Sequence, residues 1–196
     1  MSTPERLIVG VTGASGAVYA VRLLQALRDT PIQTHLVMSD TARRVVTLEA
    51  GLKPEQLEAL ADHAHSNRDL EAPIASGSFQ TLGMVVVPCS IKTLSAVAHC
   101  FTESLLVRAA DVVLKERRRL VLVVRETPLH LGHLRLMQTV TEYGAVVLPP
   151  APGFYQGPQT IEDLVDHTVG KILDQFGVQH SLYRRWEGSG GESRPD

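Results

Sequence analysis

Apolar residues recur along the chain in two rhythms. Runs at 7–11, 34–38, 84–87, 120–124 and 145–148 are short and largely uninterrupted by polar residues, as expected for parallel strands buried on both faces. Between them the spacing becomes helical. Residues 18–28 place Arg22, Gln25 and Arg28 opposite an apolar stripe, and a second helix carrying Val45, Val46 and Leu48 follows Ser39-Asp40. Further helices are predicted over 52–60, started by Pro54, and over 91–97, 103–115, 131–143 and 161–176. Residues 72–78 read as extended chain or loop, and the rest of 50–81 has no regular pattern. Strands that alternate with helices predict an α/β fold: one Rossmann-like (flavodoxin-like) domain over residues 1–186, with three αβα layers and a mostly parallel sheet. The Gly/Ser/charged stretch 187–196 is expected to be a disordered tail.

Composition narrows the class. The chain has 196 residues, 44% of them hydrophobic, which suits one full-sized core better than two. A formal net charge of −2 gives no global basic field, so binding to nucleic acid is not suggested and any anion site must be local. Two cysteines, Cys89 and Cys100, make no disulfide framework. With no signal-peptide layout and no apolar run near the ~20 residues of a membrane span, the chain reads as a soluble cytoplasmic protein.

The first strand breaks into Thr12-Gly13-Ala14-Ser15-Gly16-Ala17 and then a helix. Two glycines permit close backbone approach, and a helix start offers unpaired amides and a positive dipole end, a combination that favours phosphate. The turn is neither a dinucleotide fingerprint nor a P-loop, so a plain close-packed βα turn stays open as an alternative. In a parallel sheet ligands bind beyond the carboxyl ends of the strands. Those ends carry residues 12–16, Ser39, residues 88–93, Arg125-Glu126 and Tyr155, a row of hydroxyls and cations suited to a phosphorylated cofactor with a flat ring. Each has a plainer reading. Ser39, Ser90 and Thr93 can cap helices, Glu49 can be a surface residue, Glu126 can pair with Arg125, and Lys115 with Arg117–Arg119 can be a solvated helix end. Cys89 precedes a helix, where a thiol can be activated, but a buried structural thiol is the alternative. His130 and His133 lack a third neighbouring ligand, which argues against a metal. Trp186 is a docking anchor or a lid residue.

Five segments taken together resemble the UbiX-type flavin prenyltransferases: residues 12–17, Pro88-Cys89-Ser90-Ile91-Lys92-Thr93-Leu94-Ser95, residues 108–118, Arg125-Glu126-Thr127-Pro128 and Ala151-Pro152-Gly153-Phe154-Tyr155. The related cysteine decarboxylases carry Pro-Ala-Ser-Ala-Asn-Thr where this chain has residues 88–93, without the Asn. The resemblance implies transfer of the dimethylallyl group of dimethylallyl monophosphate to N5 and then C6 of reduced FMN, without a metal. The product, prenylated FMN, would serve a UbiD-type decarboxylase, often in ubiquinone biosynthesis. It implies FMN contacts from Gly13, Ala14, Ser15, Ser39, Ser90, Ile91, Lys92, Thr93 and Arg125, with Ser15 and Glu126 moving the N5 proton. Glu49, Arg108, Lys115, Tyr155 and Lys171 resemble the site for the allylic phosphate, and Tyr155 and Trp186 would set aromatic faces near the allyl cation. At 171 many relatives carry Arg, so Lys171 keeps the charge without the bidentate fork. Relatives of this kind form homo-oligomers, commonly dodecamers, whose sites are completed by neighbouring subunits. The rival readings are an FMN-dependent decarboxylase and a flavin carrier or accessory subunit.

Overall fold

A computed structural model describes residues 5–185. Its six strands are β1 (Arg6–Val11), β2 (Gln33–Met38), β3 (His63–His65), β4 (Gly83–Cys89), β5 (Arg119–Val124) and β6 (Val146–Val147). They form one parallel sheet in the order β3-β2-β1-β4-β5-β6. Helices α1 (Ala17–Leu27), α2 (Asp40–Ala50), α3 (Pro54–Glu58) and α7 (Ile161–Asp174) accompany α4 (Ile91–Ala98), α5 (Leu105–Lys115) and α6 (Leu131–Glu142). Alternation along each strand sorts the core into two layers. Leu7, Val9 and Val11 of β1, with Val85 and Val87 of β4, face α1, α2 and α7. Ile8, Met84 and Val86 face α4, α5 and α6. A sheet covered on both sides explains why its strands read as unbroken apolar runs.

The sequence pattern missed β3, whose His63-Ala64-His65 has no strand-like alternation of apolar residues. Contacts with β2 make it a strand. His35 pairs with His63 and Val37 with His65. The Asp62 carboxylate accepts hydrogen bonds from the Thr34 amide at 2.7 Å and the Thr34 hydroxyl at 2.9 Å. Without its three residues the strand order reduces to the flavodoxin-like one; with them it has the full doubly wound order. The helix predicted over 161–176 ends at Asp174, and that over 103–115 starts after Ser104. No helix among the described residues is long and apolar enough to cross a membrane. The proposed tail, 187–196, lies outside the described residues.

The β2–β3 edge holds an unusual cluster of rings. His35 is 5% exposed, stacks on His63 at 4.6 Å between centroids, and meets His65 through an Nδ1–Nε2 contact of 2.9 Å. Phe79 closes the cluster edge-on, and Arg6 lies over Phe79. Burial first, then the neighbouring His63, His65 and Arg6, push the His35 pKa down to about 4 against the opposing pull of Asp62. An unfolded chain protonates His35 near 6.5 while the folded one does not. Acid therefore favours unfolding over that window. Stability measured by urea denaturation is expected to fall between pH 6.5 and 4, and less steeply in His35→Leu. Equal slopes in the two proteins would contradict the assignment.

Candidate active site at the switch point

From β1 the chain passes through α1 to β2 on one side, and it later enters β4 on the other side. The crevice between the carboxyl ends of β1 and β4 is therefore the topological switch point. Thr12, 1% exposed, holds it together. Its amide and hydroxyl both donate to the Pro88 carbonyl, at 3.3 and 2.7 Å, and its hydroxyl accepts the Ser90 amide at 2.8 Å. Two further backbone links extend the connection sideways, Ser39 N–H to the Val11 carbonyl at 3.0 Å and Arg125 N–H to the Cys89 carbonyl at 3.1 Å. Gly13 is required by space, since a Cβ there would sit 2.4 Å from Cγ2 of Thr41. Gly16 is required by conformation, with φ +114°.

Four helices begin around this crevice, and their first amides meet different fates. At α1 the Glu49 carboxylate accepts the amides of Gly16 at 2.7 Å and Ala17 at 3.1 Å. Two of the α1 amides expected to be open are thus already occupied by an anion of the chain itself. Burial would raise the pKa of Glu49, but hydrogen bonds from the Ser15 hydroxyl and the two amides, with the charge of Arg125, bring it below the usual carboxylate value. At α5, Asn67 accepts the Leu105 amide on its carbonyl at 2.9 Å and the Leu106 amide on Oδ1 at 3.0 Å. Helices α2 and α4 are capped by Ser39, which accepts the Ala42 amide, and Ser90, which accepts the Thr93 amide. The first amides of these two, on Asp40 and Thr41 and on Ile91 and Lys92, have no intrahelical acceptor. Gly13, Ser39, Thr41, Ser90, Lys92 and Thr93, with the carboxylates of Asp40 and Glu103, form the polar wall of a cleft of about 400 Å³. Ala96, Phe101, Leu106 and Val107 form its apolar wall, with Asn67 and Ser104 at the rim of α5. Two open helix ends and an apolar surface suit a ligand with an anionic end and a flat hydrophobic one.

The flavoprotein family model matches residues 1–173. The flavin prenyltransferase UbiX of Escherichia coli K12 is 60% identical over 188 residues, covering 94% of this chain and 100% of the relative. The chain belongs to the UbiX-type flavin prenyltransferases of the flavoprotein family. UbiX of Thauera aromatica is 54% identical, over 94% of this chain and 95% of its own length. Among solved structures, AnUbiX in complex with FMN and dimethylallyl pyrophosphate superposes with a TM-score of 0.93 at 49% identity, covering 95% of this chain and 99% of that one. A dodecameric FMN-dependent UbiX-like decarboxylase from Escherichia coli O157:H7 gives 0.91 at 50% identity, covering 93% and 100%.

For this member of the family, the cleft gathers five of the residues singled out for FMN: Gly13, Ser39, Ser90, Lys92 and Thr93. Ser15 lies beside them, bonded to Glu49. Glu126 is exposed and accepts its neighbour's amide, from Thr127, at 3.0 Å. Tyr155 stands 65% exposed in the loop before α7, its hydroxyl 3.4 Å from Nε2 of His167. Arg108 and Lys115 are two turns apart on α5. Arg108 reaches the Ala75 carbonyl at 3.3 Å and the Asp111 carboxylate at 3.0 Å, while Lys115 pairs with Glu116. Lys115 ends α5 four residues before β5 begins, so it lies at the amino edge of the sheet, across from Ser15, Glu49 and Arg125. A single copy does not bring these groups together. Trp186 lies outside the described residues. His130 caps α6 and its ring lies tilted against that of His133 with centroids 3.6 Å apart; among the described residues no group of three His, Cys, Asp or Glu could hold a metal ion. Sequence reasoning passed over Asn67 and Ser104 and took Thr12 only as part of the turn at the end of β1. A hydroxyl one residue before the apolar stripe of α5 was the available signal for Ser104, whereas Thr12 and Asn67 act through partners 76 and 39 residues away.

Cys89 is fully buried, and burial pushes its thiol up to about 12, so the structural reading holds over the activated one. In a Cys100→Ser variant the native protein is expected to be inert to a thiol reagent at pH 8 and to release one equivalent on unfolding; rapid native labelling would contradict this. Thr12→Val removes the bridge while keeping volume, stranding the part-buried Ser90 amide. Loss of about 1–3 kcal/mol is expected in urea denaturation. No change in the midpoint would show that the bridge holds nothing.

Proposed function

We propose that the chain transfers the dimethylallyl group of dimethylallyl monophosphate to reduced FMN, first at N5 and then at C6, and supplies prenylated FMN to a UbiD-type decarboxylase in ubiquinone biosynthesis. The supporting observation is the cleft itself. In a chain 60% identical to a flavin prenyltransferase, two open helix ends and a Ser–carboxylate pair meet at the switch point. The residues present suit FMN. Hydroxyls of Ser39, Ser90 and Thr93 with the open amides of α2 and α4 would hold its phosphate, Gly13, Ala14 and Ser15 would line one edge of the ring system, and Arg125 would contribute a cation. When bound, reduced FMN supplies the nucleophilic N5 and C6 atoms.

The chain's own contribution is to position groups and move protons. The Ser15 hydroxyl faces the Glu49 carboxylate, so it would take a proton from N5 while passing its own to Glu49. Glu126, next to the cation Arg125, is the second group for that transfer. Cations in place of a metal would hold the leaving phosphate: Lys171 and, from a neighbouring copy, Arg108 and Lys115. Placing Lys115 at the far edge of the sheet is what makes the neighbour necessary in this reading, and it accords with an assembly of the kind seen in the dodecameric relative. The aromatic face of Tyr155, with Trp186, would stabilise the allyl cation and keep water from it. In this reading the enzyme works in the cytoplasm, where its two cysteines stay as free thiols.

A second reading, decarboxylation, draws on the dodecameric UbiX-like decarboxylase at 50% identity. It is disfavoured by Lys92, which stands where the cysteine decarboxylases carry Asn. Anaerobic incubation with reduced FMN and dimethylallyl monophosphate, followed by mass spectrometry of the released flavin, separates the readings. A gain of one prenyl unit is expected; flavin that stays bound and returns unchanged would favour a carrier or a decarboxylase. In Ser15→Ala the transfer is expected to slow about 10²-fold with FMN still bound. Loss of binding with normal turnover of the bound fraction would return Ser15 to a turn-closing role.

A further inference from the structure

Beyond the crevice, the densest polar cluster among the described residues centres on Asp174, the last residue of α7. Its Oδ1 accepts Nη2 of Arg185 at 2.7 Å and Nε2 of His180 at 3.1 Å. His180 Nδ1 accepts the Leu182 amide at 3.2 Å, which fixes the ring's proton on Nε2 and makes it the donor to Asp174. The other oxygen, Oδ2, accepts the Tyr183 hydroxyl and lies 3.9 Å from Nζ of Lys171. Four side chains thus converge on one carboxylate that is 18% exposed. Burial would raise its pKa, but bonds from Tyr183, Arg185 and His180 hold it at about 2, and Tyr183 is pushed up to about 12 by burial and by Asp174. The tie therefore persists across the working pH range.

The cluster reaches two groups assigned to the allylic phosphate. Tyr183 lies flat on α7 at Gly170, where a Cβ would stand 2.5 Å from its ring. From there it packs on His167 at 5.1 Å between centroids, and His167 meets the Tyr155 hydroxyl at 3.4 Å. A second tie joins the same loop to the same segment, Gln156 Nε2 donating to the Arg184 carbonyl at 2.7 Å. Lys171 lies between the carboxylate and the Tyr183 ring, its Nζ 6.0 Å from the ring centroid. Lys171 has a point charge and four rotatable bonds, so without the fork of an Arg its aim depends on what surrounds it.

We propose that Asp174, acting through Tyr183, is a positioning residue that fixes Lys171 and the Tyr155 loop for the allylic phosphate. The inference rests on the reading of Tyr155 and Lys171 given above. It accounts for the Lys at 171: the carboxylate supplies orientation that the side chain lacks.

Steady-state kinetics of the assembled enzyme, with dimethylallyl monophosphate varied and reduced FMN saturating, test it. Asp174→Asn removes the charge, and Tyr183→Phe removes the bond but keeps the ring, which secures the test if the first variant folds poorly. Both are expected to raise KM for the phosphate, Asp174→Asn by about tenfold, with the Kd for FMN unchanged. In a Lys171→Ala, Tyr155→Ala background, Asp174→Asn should add less than about twofold, because the groups it aims are gone. A full multiplicative effect there, or a fall in FMN affinity, would mark Asp174 as merely structural and overturn the proposal. So would an unchanged KM in Asp174→Asn and Tyr183→Phe while Lys171→Ala and Tyr155→Ala raise it, which leaves the substrate assignment standing. If Lys171→Ala and Tyr155→Ala themselves leave KM unchanged, the substrate assignment falls and the positioning role falls with it.

Discussion

The hydroxyl of Thr12 is the hinge pin of the site. A parallel sheet separates its strand ends at the switch point, where nothing in the ladder continues to hold β1 against β4. One buried side chain closes that gap by donating to Pro88 and accepting from Ser90. Because Ser90 also caps α4, the same bridge sets where that helix starts. The link from Val11 to Ser39 does the corresponding work for α2. The two helix ends that line the cleft are thus placed by the sheet itself, and rigid placement of donors is what an anion site requires.

Of the four helices that start around the crevice, α2 and α4 keep both of their first two amides open. Glu49 and Asn67 close the other two from 32 to 39 residues away in sequence. Closing α1 with a carboxylate has a second effect. It leaves a carboxylate, kept ionised by its donors, beside the Ser15 hydroxyl and the cleft. One turn therefore divides its labour: its glycines give close approach, while its amides are committed to Glu49.

Much of this was legible in the sequence because it depends on local pattern. Buried parallel strands advertise themselves as apolar runs, and Ser39 and Ser90 stand at the one place where a hydroxyl can cap a helix. The motifs in 12–17, 88–95 and 125–128 pointed to the family that the whole-chain comparisons show. What escaped was non-local. Nothing around His63 signals a strand, since its pairing partners lie in β2. Thr12 looks like one more residue of the turn until Pro88 is beside it. Glu49, read from its neighbours, is an exposed helix residue; its role appears only when Gly16 and Ala17 come within reach. The case of Lys115 is more distant still, because its place in the proposed reaction depends on another copy of the chain.

In the proposed reading the cofactor phosphate goes to the open ends of α2 and α4, while Glu49 keeps the start of α1. A crystal structure of the enzyme with FMN tests this directly. Phosphate oxygens are expected within hydrogen-bond distance of the Ser39 hydroxyl and the amides at the start of α4, with the Glu49 bonds to Gly16 and Ala17 intact. A phosphate seated on the Gly16 and Ala17 amides, with Glu49 displaced, would contradict it.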